Sequence, residues 1–110
     1  MKLILLFLSF SQNVSILTVD EYQNNDAVFL FCSVTTYAKC EYTVEWLFDG
    51  NEDDVTITPL TCSSRVTFIP RLNQKSKYFE SLKCNVTDKM SGQTLLCNVG
   101  PQKTGTFDFI

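Results

Sequence analysis

The side chains with the greatest chemical potential in this sequence are five cysteines, at positions 32, 40, 62, 84 and 97. No two of them form a C-x-x-C pair, so their spacing does not favour a zinc ribbon or a thioredoxin-like redox motif. The chain has no histidine, which excludes histidine-dependent triads and histidine-ligated zinc within it. A cysteine nucleophile would need a base, and the sequence offers no obvious one. We therefore expect no enzyme, no catalytic residue, no metal ligand and no cofactor.

One acidic cluster, residues 49–54 (DGNEDD), is the remaining candidate for cation chemistry. It does not match the EF-hand loop. A solvated turn is the simpler interpretation, and calcium binding or a charged contact is the alternative. The net charge is only −3 and the basic residues do not cluster, so we expect no nucleic-acid partner.

The N-terminus, MKLILLFLSFSQ, has the features of a secretory signal peptide over residues 1–11. Lys2 supplies a charge, residues 3–10 are mainly apolar, and Ser9 and Ser11 are small residues before a possible cleavage at Gln12. The alternative is a buried first strand. The apolar run is far too short to cross a bilayer and no later run is longer, so no membrane segment is expected in this chain.

The cysteine content and two N-glycosylation sequons, at Asn13 and Asn85, agree with the signal peptide. Together these features predict a secreted protein or a cell-surface ectodomain.

Short stretches of alternating apolar and polar residues, separated by turn-forming residues, predict an all-β chain of six to eight strands. We expect an antiparallel two-sheet sandwich over residues 12–100, with residues 101–110 as a tail or linker. The predicted strands are residues 14–19, 27–34, 42–48, 55–58, 64–69, 78–87 and 94–99. Residues 21–26 are expected to be a turn and residues 71–77 a polar connection.

The alternation also assigns side chains to faces. The inward, core-forming positions include Leu30, Val44, Trp46, Phe68 and Leu82. Phe29 and Phe31 alternate outward and could form an exposed apolar interface. The alternative is that strand A or the segment after Pro101 covers them.

Four motifs give the chain a resemblance to the immunoglobulin superfamily, as strands B, C, E and F: Val28-x-Leu30-x-Cys32, Val44-x-Trp46, Val66-x-Phe68 and Leu82-x-Cys84-x-Val86. More narrowly, it resembles the short Ig-like modules of fish immune-type and adhesion-type surface proteins, which commonly carry extra cysteines before strands C and E, here Cys40 and Cys62. The resemblance implies a Greek-key sandwich and an extracellular protein partner.

The resemblance also implies two disulfides. Cys32 and Cys84 would join the sheets beside Trp46, stabilising the fold by roughly 4 kcal/mol in the chain-entropy model. Cys40 and Cys62 would form a second bridge, contributing roughly 3 kcal/mol. Cys97 is left over, either as a buried thiol or as a partner in an intermolecular disulfide.

Two departures narrow the resemblance. Leu82 occupies the position of the tyrosine-corner residue, with Tyr78 nearby but out of place, and the last strand lacks a Gly-x-Gly bulge. We therefore expect a compact, constant-like or intermediate sandwich rather than an antigen receptor. It would serve as a recognition or adhesion module. The alternatives are a spacer domain of a longer receptor and a secreted Ig-like protein.

Overall fold

The computed structural model describes residues 2–8, 15–36, 39–71 and 74–99. Within these ranges the chain forms eight strands, one short α-helix (α1, Lys75–Ser81) and a 3-10 turn at Glu52–Asp54. The strands are β1 Lys2–Leu8, β2 Ser15–Asn24, β3 Ala27–Thr35, β4 Tyr42–Phe48, β5 Val55–Leu60, β6 Ser63–Phe68, β7 Leu82–Asp88 and β8 Thr94–Asn98.

All strand pairs are antiparallel, and they form two sheets in the orders β1-β2-β3-β6-β5 and β4-β7-β8. Leaving β1 aside, these orders are those of strands ABED and CFG in a constant-type immunoglobulin sandwich. The chain is thus an all-β, immunoglobulin-like antiparallel two-sheet sandwich, which confirms the predicted fold class.

The core lies between the two sheets and consists of the inward-facing residues, which alternate along the strands with outward-facing ones. Strand β3 alternates half-buried and buried side chains along most of its length, as period-2 geometry requires. The predicted core residues are all buried, namely Leu30, Val44, Trp46, Phe68 and Leu82.

Two predicted boundaries were wrong. Residues 21–24 extend β2, and only Asn25 and Asp26 make the turn to β3. Asn25 has φ 56°, which asparagine tolerates better than most residues. Strand β5 continues through Pro59 to Leu60. It can contain a proline because it lies at the edge of its sheet, where one side of the backbone has no strand to bond.

The prediction of a strand from residue 78 was also wrong, because α1 extends to Ser81 and β7 begins only at Leu82. The helix places Tyr78 against the end of the core. Its ring stacks on that of Phe68, with centroids 4.5 Å apart, and lies 5.9 Å from that of Phe48. Phe79 meets Phe68 edge-on at 6.1 Å. This aromatic cluster closes one end of the sandwich, and Leu82 is fully buried beside it.

Replacing Tyr78 with alanine should lower the free energy of unfolding by about 2 kcal/mol, because two stacked ring contacts and their buried area are lost. Tyr78→Phe keeps both contacts and serves as the control, with an expected loss below about 0.5 kcal/mol. Urea unfolding followed by Trp46 fluorescence measures both. Equal stability of the alanine and phenylalanine variants would show that the stacking contributes little.

Residues 2–8, the proposed centre of the signal peptide, form β1 and pair with β2, with a register shift between Ile4 and Leu6. This pairing corresponds to the alternative interpretation of the segment as a strand. Processing before Gln12 stays a prediction, because that bond, like the predicted tail at residues 101–110, lies outside the described residues.

Candidate functional site

The inter-sheet disulfide joins Cys32 of β3 to Cys84 of β7, with Cα atoms 6.5 Å apart. Trp46 lies opposite Cys84 in the β4–β7 register. Its indole Nε1–H donates to the backbone oxygens of Ser64, at 2.8 Å, and Leu30, at 3.2 Å. A buried indole N–H needs such partners. Trp46 therefore ties its own sheet to β3 and β6 of the other.

The second disulfide joins Cys40 to Cys62, with Cα atoms 6.1 Å apart. Cys62 sits in the tight turn between β5 and β6 with φ 57°, a left-handed conformation that normally favours glycine. Its carbonyl accepts a 3.0 Å hydrogen bond from the N–H of Val34. The bridge holds the β5–β6 turn against the segment that enters β4, and the hydrogen bond holds it against the end of β3.

The unpaired Cys97 is fully buried and lies directly opposite Cys84 in the β7–β8 register. Burial raises the pKa of the thiol from its ordinary value of 9.0 to about 12. This position matches the interpretation of Cys97 as a buried thiol. An intermolecular disulfide needs an accessible thiolate, which the folded chain does not provide.

The raised pKa of Cys97 makes stability depend on pH in the alkaline range. In the unfolded chain the thiol ionises near its ordinary pKa of 9.0, whereas in the folded chain it keeps its proton until about pH 12. The unfolded state then binds fewer protons, so stability is complete below about pH 9 and falls as pH rises towards 12. We expect a loss of about 2 kcal/mol near pH 10.5.

Urea unfolding of the wild type and of Cys97→Ala at a series of pH values isolates this effect, because other titrating groups are common to both proteins. The difference in free energy between them should change with pH only above about pH 9. At neutral pH, iodoacetamide should label Cys97 only after unfolding. Rapid labelling of the folded protein would contradict the burial argument.

The acidic cluster forms a capped, exposed turn. The Asn51 side chain accepts a 3.1 Å hydrogen bond from the N–H of Asp53, and Glu52–Asp54 are all exposed. Among the described residues, no group of three or more acidic or cysteine side chains is placed to hold a metal ion. The exposure of these residues and the Asn51 cap match the solvated-turn interpretation.

Phe29 and Phe31 lie on the outer face of the larger sheet, and both are half-buried. Tyr22 lies beside them, although it falls in the segment 21–26 that the sequence pattern predicts as a turn. Tyr22 is 56% exposed and meets Phe31 edge-on at 5.6 Å. Strand β2, the predicted strand A, lies beside β3 in the same sheet rather than over these rings. We call Tyr22, Phe29 and Phe31 the outer aromatic patch.

Asn85 projects from the outer face of the smaller sheet, between Glu45 of β4 and Leu96 of β8. It is half-buried. Its glycosylation stays a prediction, and Asn13 lies outside the described residues.

A surface groove lies on the side of the sandwich where β4 and β5 are the edge strands, and no sequence pattern predicted it. Two adjoining depressions run along these edges and share Glu45 and Ile57 in their linings. We call this feature the β4–β5 groove. Lys89 lies at one end of it and Glu52 at the other.

Among the described residues, no helix has the length and apolar character that a membrane crossing requires. No protein-family model and no curated protein matches the chain. The fold and the surfaces described above are therefore the features that bear on function.

Proposed function

We propose that this protein is an extracellular Ig-like recognition or adhesion module of the immunoglobulin superfamily, without catalytic activity. One observation carries the proposal: the ABED and CFG strand orders occur together with a disulfide between strands B and F and an indole beside it. That combination is typical of immunoglobulin domains. The two disulfides favour an oxidising compartment.

Binding, rather than chemistry, is the activity that these surfaces favour. Ig-type sandwiches host many functions, so the assignment must come from the surface and not from the fold. The outer aromatic patch places large rings on a sheet face, and aromatic residues are enriched at protein interfaces. We propose a cell-surface or immune-type protein as the partner.

Expression of the full chain in secretory cells tests the compartment. The proposal expects the protein in the medium, with its N-terminus at Gln12, both disulfides formed and glycan on at least one sequon. Retention in the cytosol with reduced cysteines would overturn it.

A multimerised form of the secreted protein, applied to a panel of intact cells, tests recognition. We expect saturable binding that protease treatment of the cells abolishes. Phe29→Ser with Phe31→Ser should weaken this binding at least tenfold if the outer aromatic patch is the contact, while Thr56→Ser on the same face of the sheet is a matched control. Absence of binding to every cell type would contradict recognition.

The outer aromatic patch also supports a second candidate, a spacer domain whose rings pack on a neighbouring domain of a longer receptor. A transcript that encodes further domains, together with loss of solvent exposure of Tyr22 in the longer protein, would favour the spacer. Equal exposure of Tyr22 in both forms would argue against it.

A further inference from the structure

The inward face of β5 is incompletely covered. The inward residues of β6 are all buried, whereas those of the adjacent β5 are not: Val55 is half-buried and Ile57 and Pro59 are exposed. Ile57 is 38% exposed, although its register partner Val66 is fully buried. An aliphatic side chain that faces the inside of a sandwich is normally covered by the opposite sheet.

The cause is the difference in width between the two sheets. On this side, the smaller sheet ends at β4, while the larger sheet extends one strand beyond β6 to β5. One more strand beside β4 would lie over β5 and cover Ile57. The β4–β5 groove therefore lies where that further strand would be.

The backbone of β4 presents hydrogen-bonding groups to this groove. Asp49 N–H donates to Ser81 O and Lys89 N–H donates to Glu41 O, so the odd-numbered residues of β4 bond to β7. In an antiparallel ladder the N–H and C=O groups of the intervening, even-numbered residues point away from β7, towards the groove. Trp46 N–H, accordingly, reaches Ser64 Oγ across the edge at 3.4 Å, and Val44 directs its N–H and C=O into the groove.

We propose that the β4–β5 groove binds an extended segment of a partner protein, which adds to β4 as a further antiparallel strand. Main-chain bonds to Val44 would supply affinity, as in other cases of strand addition. Alternate side chains of the segment would be apolar, covering Ile57. The intervening ones would be basic where they lie beside Glu45 on the outer face and near Glu52 at one end of the groove, while Lys89 lies at the opposite end.

A second copy of this chain fits the groove poorly. An antiparallel pairing of two β4 edges centred near Glu45 would place the Glu45 side chain of one copy close to the Glu45 side chain of the other. Like charges on neighbouring strands are destabilising, and the chain has a net charge of −3. A basic, partly apolar segment has the complementary charge.

This inference deepens the proposed recognition role and rests on it. The probe is the peptide acetyl-Lys-Val-Lys-Val-Lys-Val-Lys-amide. One control peptide carries glutamate in place of lysine, and another carries N-methyl groups at the valines, which removes hydrogen-bond donors. Titration calorimetry measures affinity, and amide exchange at Val44 reports the backbone contact.

We expect the lysine peptide to bind at least tenfold more tightly than either control and to slow exchange of the Val44 amide. Glu45→Lys should weaken the lysine peptide at least tenfold and improve binding of the glutamate peptide. Glu80→Lys, an equal charge change at an exposed position of α1, should leave the preference intact. Ile57→Ser should weaken the lysine peptide without reversing the preference.

Equal binding of the lysine and N-methyl peptides would overturn strand addition. A dimer in sedimentation that is lost in Ile57→Ser would assign the groove to a second copy and also overturn the proposal. If cell binding persists in Glu45→Lys and Ile57→Ser, the protein has a recognition role but does not bind its partner through the β4–β5 groove. If the peptide binds but no cell-surface partner is found, groove binding is supported and the recognition role is contradicted.

Discussion

Replacing Trp46 with alanine is expected to lower the free energy of unfolding by about 3–5 kcal/mol, a large part of the stability of a domain of this size. Trp46 is nearly fully buried at the centre of the sandwich. Its loss opens a cavity beside the inter-sheet disulfide and leaves the carbonyls of Leu30 and Ser64 without their donor. Chemical denaturation followed by circular dichroism measures the change, since the variant has no tryptophan.

The variant Trp46→Phe separates the contribution of core packing from that of the indole hydrogen bonds. It keeps much of the apolar volume but removes the Nε1–H, so we expect a loss of about 1–3 kcal/mol from the two lost hydrogen bonds and the smaller ring. A phenylalanine variant as stable as the wild type would show that the hydrogen bonds to Leu30 and Ser64 contribute nothing. An alanine variant with a loss below about 1 kcal/mol would contradict the packing argument.

Removing the inter-sheet disulfide, as Cys32→Ala with Cys84→Ala, is the second large effect. The bridge closes a separation of 52 residues, for which the chain-entropy model gives about 4 kcal/mol. Removing Cys40 and Cys62 opens a separation of 22 residues and should cost about 3 kcal/mol. Unfolding in urea compares the two double variants with the wild type, and a larger loss from the Cys40–Cys62 variant would contradict this order.

The single variants should behave differently, because Cys97 faces Cys84 across β7 and β8. Directly opposite residues of an antiparallel pair have Cα atoms near 5.5 Å apart or closer, within reach of a disulfide. After oxidative refolding, Cys32→Ala should yield a Cys84–Cys97 bridge by peptide mapping. Cys84→Ala leaves Cys32 in the other sheet, without a cysteine in its register row. Equal bridging in both variants would show that the register does not direct pairing.

Strand prediction succeeded where a strand is buried on one face and exposed on the other. Strand β4 has the predicted bounds, 42–48, because Tyr42, Val44 and Trp46 face the core while Thr43, Glu45 and Leu47 face solvent. Prediction failed at α1, where Tyr78 and Phe79 are adjacent apolar residues. Their burial at the end of the core comes from contacts with Phe48 and Phe68, which are distant in the sequence.

The candidate surfaces also divide into features that the local sequence pattern predicts and features that depend on contacts between distant segments. Alternation placed Phe29 and Phe31 on an outer face, but Tyr22 joined them only because β2 pairs with β3 as far as Asn24. The β4–β5 groove has no counterpart in any local pattern. It arises because the two sheets have unequal numbers of strands. In the sequence pattern Ile57 cannot be told from a core residue, because its side chain faces inward like that of its partner Val66.

By itself, the sequence determined the all-β class, the inward residues and the cysteines available for bridging, because period-2 burial and residue chemistry are local properties. Only the tertiary structure decided which strands are edges, that Cys97 lies opposite Cys84, and that Ile57 faces inward without full cover. Those features depend on register and on sheet width, which are set by pairing between segments far apart in the chain.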